Sequence, residues 1–208
     1  MNNLARLRPT ALIGEVCSHD DLRWTRLHQQ IQEYSLKTGQ FKLASGREST
    51  FLFQLRQTTL HPEGAFLLSD IIVDYMAMHK IRFIGGLVLG AVPIAASVAA
   101  VSFARKAIPP IHAFFVRKEA KGHGAKEIID GFTGGEPADE ILLVDDVATS
   151  GGSLLKALHI LQEQGFKGNV TKALVIVDRE EGATENLAKE GIELVSIFKK
   201  SDFAIPQA

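Results

Sequence analysis

One run constrains this chain more than any other. Ile141, Leu142, Leu143 and Val144 are followed by Asp145, Asp146, Val147, Ala148, Thr149, Ser150, Gly151, Gly152 and Ser153, and then by Leu154, Leu155, Lys156, Ala157 and Leu158. Four consecutive apolar residues read as a strand buried on both faces, as strands of parallel sheets are. The closing segment has amphipathic helical spacing and starts near Gly152. Between them, two carboxylates fall where the strand is expected to end, at the carboxyl edge where open α/β sheets bind ligands. Glycines let backbone approach a ligand closely, and unpaired N–H groups at a helix start attract an anion. Thr149, Ser150 and Ser153 add hydroxyl donors. The expectation is a phosphate cradle over residues 147–153 with a diol-binding carboxylate pair at its lip. The plainer alternative is a strand-to-helix turn with serine or glycine as the helix cap; the length of the whole run weighs against it. No Gly-Lys-Thr/Ser closes the loop, so it is not a Walker A loop, and it lacks the Gly-x-Gly-x-x-Gly dinucleotide pattern.

The chain around this run has 208 residues, enough for one domain with a small lobe attached. A net charge of −1 gives no global pointer to nucleic acid or an anionic membrane. The single cysteine, Cys17, excludes an intramolecular disulfide framework and fits a reducing cytoplasm; as a lone thiol it reads as inert. Arg6 and Arg8 precede an apolar stretch too short for a secretory signal. No run approaches the roughly 20 apolar residues of a membrane span. Residues 84–101 come nearest, and glycines and Pro93 interrupt them.

In order, residues 1–20 read as a leader or loosely ordered arm. Leu22, Leu27, Ile31, Tyr34 and Leu36 mark a helix capped by Asp20 and Asp21 and ending near Thr38 and Gly39. Residues 41–53 alternate around Ser45, Gly46 and Arg47 as a hairpin. A helix opens at His61, Pro62 and Glu63 and runs to about Lys80. The rhythm then turns α/β: a strand over 84–89, a helix to about Lys106, a strand over 111–116 and a polar loop over 117–137. The central strand and helix come next, then strand 173–177, helix 185–190 and strand 194–197. Strands spaced by helices in this way form right-handed parallel crossovers. The first ~60 residues fall outside the rhythm and are expected to hood the sheet's carboxyl edge.

Four further clusters follow strands and so face one edge. Residues 85–91, glycine-rich, either expose N–H groups to a second anion or pack a strand tightly on a helix. Arg117, Lys118, Lys121 and His123 share a segment with Gly122 and Gly124, which reads as a basic closing lid rather than a solvated charge run. Arg179, between Asp178 and Glu180, either grips a planar carboxylate or pairs locally with Glu180 or Glu181. The hairpin's aromatic face, with Phe51 and Phe53, either covers a flat ring or is plain core.

The run 141–153 closely resembles the 5-phosphoribosyl-1-pyrophosphate (PRPP) signature of the type I phosphoribosyltransferases. From about Tyr34 to Asp202 the chain resembles the orotate phosphoribosyltransferases of the pyrimidine nucleotide pathway. The Arg-Lys-x-x-Lys-x-His spacing at residues 117–123, Asp178 with Arg179, and the Ser45, Gly46, Arg47 segment carry this resemblance. It implies a mostly parallel central sheet flanked by helices with a small N-terminal hood. Residues 1–20 would be an arm and residues 21–208 one domain, the hood mainly 34–60 and the α/β core 61–208.

The implied reaction joins orotate to PRPP, giving orotidine 5′-monophosphate and pyrophosphate. Lys121, His123, Asp145 and Asp146 would be catalytic. Arg117, Lys118, Lys121, His123, Asp145, Asp146, Val147, Ala148, Thr149, Ser150, Gly151, Gly152 and Ser153 would hold PRPP. Thr149, Arg179, Leu52 and Phe53 would surround orotate. Mg²⁺ would be held mainly through substrate and water, without a protein cage. The resemblance further implies a cytoplasmic homodimer sharing its lid loops, with no nucleic-acid or membrane partner. One departure stands out: Ala44 occupies a position where many members carry lysine, and Lys42, two residues earlier on the same strand face, is a candidate substitute. Competing expectations are a phosphoribosyltransferase for uracil or a purine, and a PRPP-sensing regulator. The basic lid, and the lack of a helix-turn-helix before residue 40, argue against the regulator.

Overall fold

A computed structural model describes residues 16–42, 48–106, 110–119, 127–132, 136 and 139–205. The expectations for residues 1–15, Ala44, Ser45, Gly46, Arg47, Lys121 and His123, and for the side chain of Lys42, lie outside what is described.

The first helix, α1 (Leu22–Gln30), starts where Asp21 turns its carboxylate back to accept the Arg23 N–H at 2.8 Å. A π turn (Ile31–Ser35) prolongs it, and the chain then becomes a strand, β1 (Leu36–Lys42). The helix therefore stops short of the expected Thr38. Leu36 pairs with Phe53 on the antiparallel strand β2 (Glu48–Phe53), and that cross-strand pairing overrides a helical spacing that its own residues could also satisfy. Phe51 and Phe53 turn one face of β2 into the core, so the hairpin's aromatic face is core.

A short helix, α2 (Arg56–Thr59), leads to α3 (Pro62–Met78), where His61 caps and Pro62 occupies the first turn. Six strands follow: β3 (Phe83–Gly85), β4 (His112–Val116), β5 (Ile129–Gly131), β6 (Glu140–Ala148), β7 (Asn169–Asp178) and β8 (Glu193–Lys199). Between them lie α4 (Ala91–Arg105), α5 (Gly152–Glu163) and α6 (Ala183–Ala188). The sheet order is β5-β4-β3-β6-β7-β8, parallel throughout except for β5. This is the expected mostly parallel sheet with a small two-stranded hood. Strand β5 sits inside the stretch expected to be loop; three residues are too few for a period to show.

Alternate residues of the central strands feed two cores. Leu142, Val144, Leu174 and Ile176 face α3, α4 and the N-terminal elements; Ile141, Leu143, Ala173 and Val175 face α5 and α6. Each buried valine, leucine or isoleucine among them contributes on the order of 1.5–3 kcal/mol by leaving water. Val16 and Cys17, the first described residues, join the first core. Burial, with Asp21 adjacent, pushes the Cys17 thiol up to about 12, which leaves it unreactive. Arg23 reaches Asp70 at 2.6 Å and Asp74 at 2.7 Å, and Arg105 meets Asp74 at 2.7 Å, so a shared ion network fixes α1 against α3 and α4. Among the described residues, no helix is long and apolar enough to cross a membrane.

Candidate active site

Strand β6 does not end at Val144. It continues through Ala148, with Asp145 opposite Val175 and Val147 opposite Val177 on β7. The two carboxylates are therefore held by a paired strand rather than by a loop beyond it. Asp145 is 8% exposed. Its Oδ1 accepts the Asp146 N–H at 2.9 Å, and Asp146 Oδ1 accepts the Val147 N–H at 2.9 Å. Burial, and then the neighbouring Asp146 charge, push Asp145 up to about 7. Burial also raises Asp146, opposed by its hydrogen bonds and by the nearby Arg56 charge.

The strand ends in residues 149–151 and enters α5. Gly151 has φ +77°, a left-handed conformation that glycine adopts without strain, and no side chain caps the helix. Backbone donors in the first turn of α5 thus remain available to an anion, backed by the helix dipole. A cleft of about 680 Å³ opens here, lined by residues 145–154, residues 87–90, Arg56, Lys118 and Lys156. Of the sequence-predicted residues, Lys118, Asp145, Asp146 and all of 147–153 meet in this one cleft.

Both readings of the glycine-rich 85–91 segment hold, at different residues. A Cβ on Gly86 would stand 2.1 Å from the Val144 carbonyl oxygen, so Gly86 serves close packing. Residues 87–90 leave β3 early and line the cleft; the sequence spacing extended that strand to Leu89. The peptide between Val88 and Leu89 is cis.

Other predicted residues lie apart from the cleft. Arg117 pairs with Asp130 and stacks over Phe115 at 5.4 Å. Arg179 is 5% exposed, and its backbone N–H donates to the Ala148 carbonyl at 2.9 Å, behind the cleft. Its Nε donates to Glu181 at 2.9 Å, the local pair anticipated as an alternative; its Nη2 reaches Ser49 Oγ at 3.4 Å and its plane lies 4.4 Å from the Phe51 ring centre. The Phe53 ring packs on Phe51 and Phe203, while Leu52 takes the opposite, half-buried face of β2. Sequence reading missed Arg56 and Lys156 as cleft-lining residues: a short helix after the hood and a solvent-side lysine offered no spacing signal.

The arrangement matches known proteins closely. The phosphoribosyl transferase domain family matches residues 57–205. An orotate phosphoribosyltransferase of Rhodopseudomonas palustris (strain BisB5) is 43% identical over 180 residues, covering 86% of this chain and 94% of that protein. One from Aquifex aeolicus (strain VF5) is 41% identical, covering 85% and 95%. Among solved structures, an orotate phosphoribosyltransferase of Mycobacterium tuberculosis H37Rv in complex with Fe(III) dicitrate superposes with a TM-score of 0.72 at 32% identity, covering 88% of this chain and 99% of that one. A structure of that enzyme in complex with PRPP gives 0.66 at 27% identity, covering 88% and 93%.

Proposed function

This chain belongs to the orotate phosphoribosyltransferases of the phosphoribosyl transferase family, and from that premise we propose how its own residues move the 5-phosphoribosyl group of PRPP onto orotate, yielding orotidine 5′-monophosphate and pyrophosphate. The observation that carries the assignment is the pairing of a buried and a half-buried carboxylate, Asp145 and Asp146, with an uncapped helix N-terminus across one cleft.

Breaking the C1–O bond of PRPP leaves positive charge on the ribose ring and sends the electron pair out on pyrophosphate. Such a step needs positioning and charge stabilisation rather than a side-chain nucleophile. Asp145 and Asp146 accept hydrogen bonds from the ribose hydroxyls and face the ring cation. The loop 147–153 holds the 5′-phosphate through the N–H groups at its α5 end and the hydroxyls of Thr149, Ser150 and Ser153. Lys118, already in the cleft, and Lys121 and His123 neutralise the departing pyrophosphate; Arg117 joins them once it releases Asp130. Arg179 takes the orotate carboxylate once it turns from Glu181, with Thr149 and Leu52 beside the ring; Phe53, buried in the core, backs the strand that carries Leu52. Two adjacent carboxylates whose mutual repulsion and burial favour protons are a hard-oxygen donor pair that fits Mg²⁺. When bound with substrate oxygens and water, Mg²⁺ supplies further charge neutralisation on the pyrophosphate. The functional unit is a cytoplasmic homodimer sharing its lids; the resemblance to the family and the lone cysteine support this.

A spectrophotometric assay of PRPP-dependent orotate loss, beside uracil, hypoxanthine and adenine, tests the substrate. Faster turnover of another base would overturn orotate and leave the phosphoribosyl chemistry standing. Arg179→Ala is expected to lower kcat/KM for orotate roughly ten- to a hundredfold, the worth of one charge-assisted pair, with PRPP affinity unmoved. Arg179→Lys keeps the charge without the planar fork and should recover only part. An equal loss on both substrates would make Arg179 structural.

A further inference from the structure

The cleft has two ends on either side of the carboxylates. At one end, α5 and its Lys156 face the loop at 149–153. At the other, residues 87–90 form the wall, and Leu87, Val88, Leu89 and Gly90 bring no charge. The N–H groups of Leu89 and Gly90 donate to no described residue. Arg56 stands at this same end. It sits on α2, which packs against α4, the helix that begins directly after Gly90. Arg56 is exposed to the cleft and forms no ion pair with a described residue, although its charge is felt at Asp146. An arginine held at a cleft wall without a carboxylate partner is a cation kept for a ligand, and its planar fork suits phosphate oxygens.

We propose that Arg56 binds the diphosphate of PRPP and of the product pyrophosphate from the fixed wall of the cleft. The inference rests on the phosphoribosyl-transfer reading of the site. It gives the diphosphate end a cation independent of the segment after Val116. As the C1–O bond breaks, the electron pair stays on the oxygen that was bonded to C1, now a terminal oxygen of pyrophosphate, and Arg56 faces the charge that develops there. The reacting ribose then lies between two anchors, the 5′-phosphate at α5 and the diphosphate at Arg56, with the carboxylate pair beneath it.

The test uses the full chain, with inorganic pyrophosphate and ribose 5-phosphate as separate inhibitors. Arg56→Ala should weaken inhibition by pyrophosphate, and raise the KM for PRPP, by about tenfold or more. Inhibition by ribose 5-phosphate and the KM for orotate should stay within about twofold. Arg56→Lys should restore part of the pyrophosphate affinity and Arg56→Gln little. Equal shifts for both inhibitors would make Arg56 a structural residue and overturn the proposal, as would unchanged pyrophosphate affinity in an active variant. If the wild-type chain consumes no orotate with PRPP, the underlying reading fails first and takes this one with it.

Discussion

Asparagine in place of Asp145 is expected to yield a more heat-stable chain with almost no turnover. The carboxyl is buried beside a second carboxyl, and both influences push it up to about 7. The folded chain therefore binds this proton more tightly than the unfolded chain, whose aspartate has its ordinary value. Its contribution is fully present below the unfolded value of about 4 and is lost as pH rises through about 7. At pH 8 the wild-type fold carries an unfavourable buried charge, on the order of a few kcal/mol, that asparagine removes. Asp145→Asn should thus raise Tm by several degrees at pH 8 and by little near pH 4. Turnover should fall by a factor of about 100 or more, because the amide cannot answer the ring cation with charge. Asp145→Asn with Asp146→Asn should abolish turnover in a folded protein. Calorimetry at the two pH values decides the stability half: a variant less stable than wild type at pH 8 would show that something else holds the pair. The same proton shapes the rate, and kcat/KM should climb as pH rises through the neutral range.

The second large effect is expected from a single methyl group. Gly90 has φ −58°, so alanine fits its backbone without strain. Yet a Cβ there would meet Asp145 Oδ1 at 2.1 Å and Asp146 Oδ1 at 2.8 Å. Asp145 is enclosed and hydrogen-bonded to the chain, so either the carboxylates swing away or the wall at 87–90 retreats. A displacement of about 1 Å at reacting groups costs on the order of a hundredfold in rate. Gly90→Ala should lower kcat/KM by about that factor while the far-ultraviolet spectrum stays native. Activity within about threefold of wild type would mean that the wall yields without disturbing the carboxylates.

The parts visible in the sequence were those whose physics is local. Four apolar residues before Asp145 carry their own strand signal, and Thr149 to Ser153 carry their own turn and helix start, so the meeting of residues 145–153 at one cleft was legible from the sequence. Arg179 illustrates the boundary. Its partnership with Glu181 was foreseeable from spacing, whereas its seat on Phe51 and its reach to Ser49 depend on a hairpin folded from residues more than 120 positions away. Leu36 shows the same in secondary structure, since its periodicity fits a helix and only its pairing with Phe53 makes it a strand. Arg56 left no trace because one arginine on a one-turn helix has no pattern; its meaning comes from the cleft it lines.

The continuation of β6 through its carboxylates has a consequence in time as well as in space. Asp145, Val147 and Ala148 are paired in register with β7 at the middle of the sheet, so the strand that carries the carboxylates belongs to the slowest-opening part of the fold. Amides hydrogen-bonded between β6 and β7 should exchange with solvent only when the sheet itself opens, whereas those of Asp146 and Val147, which donate to the carboxylates beside them, should report on the carboxylates themselves. The carboxylate pair is then a stationary reference within each turnover, and the motions that admit substrates and release products fall to the segments bordering the cleft.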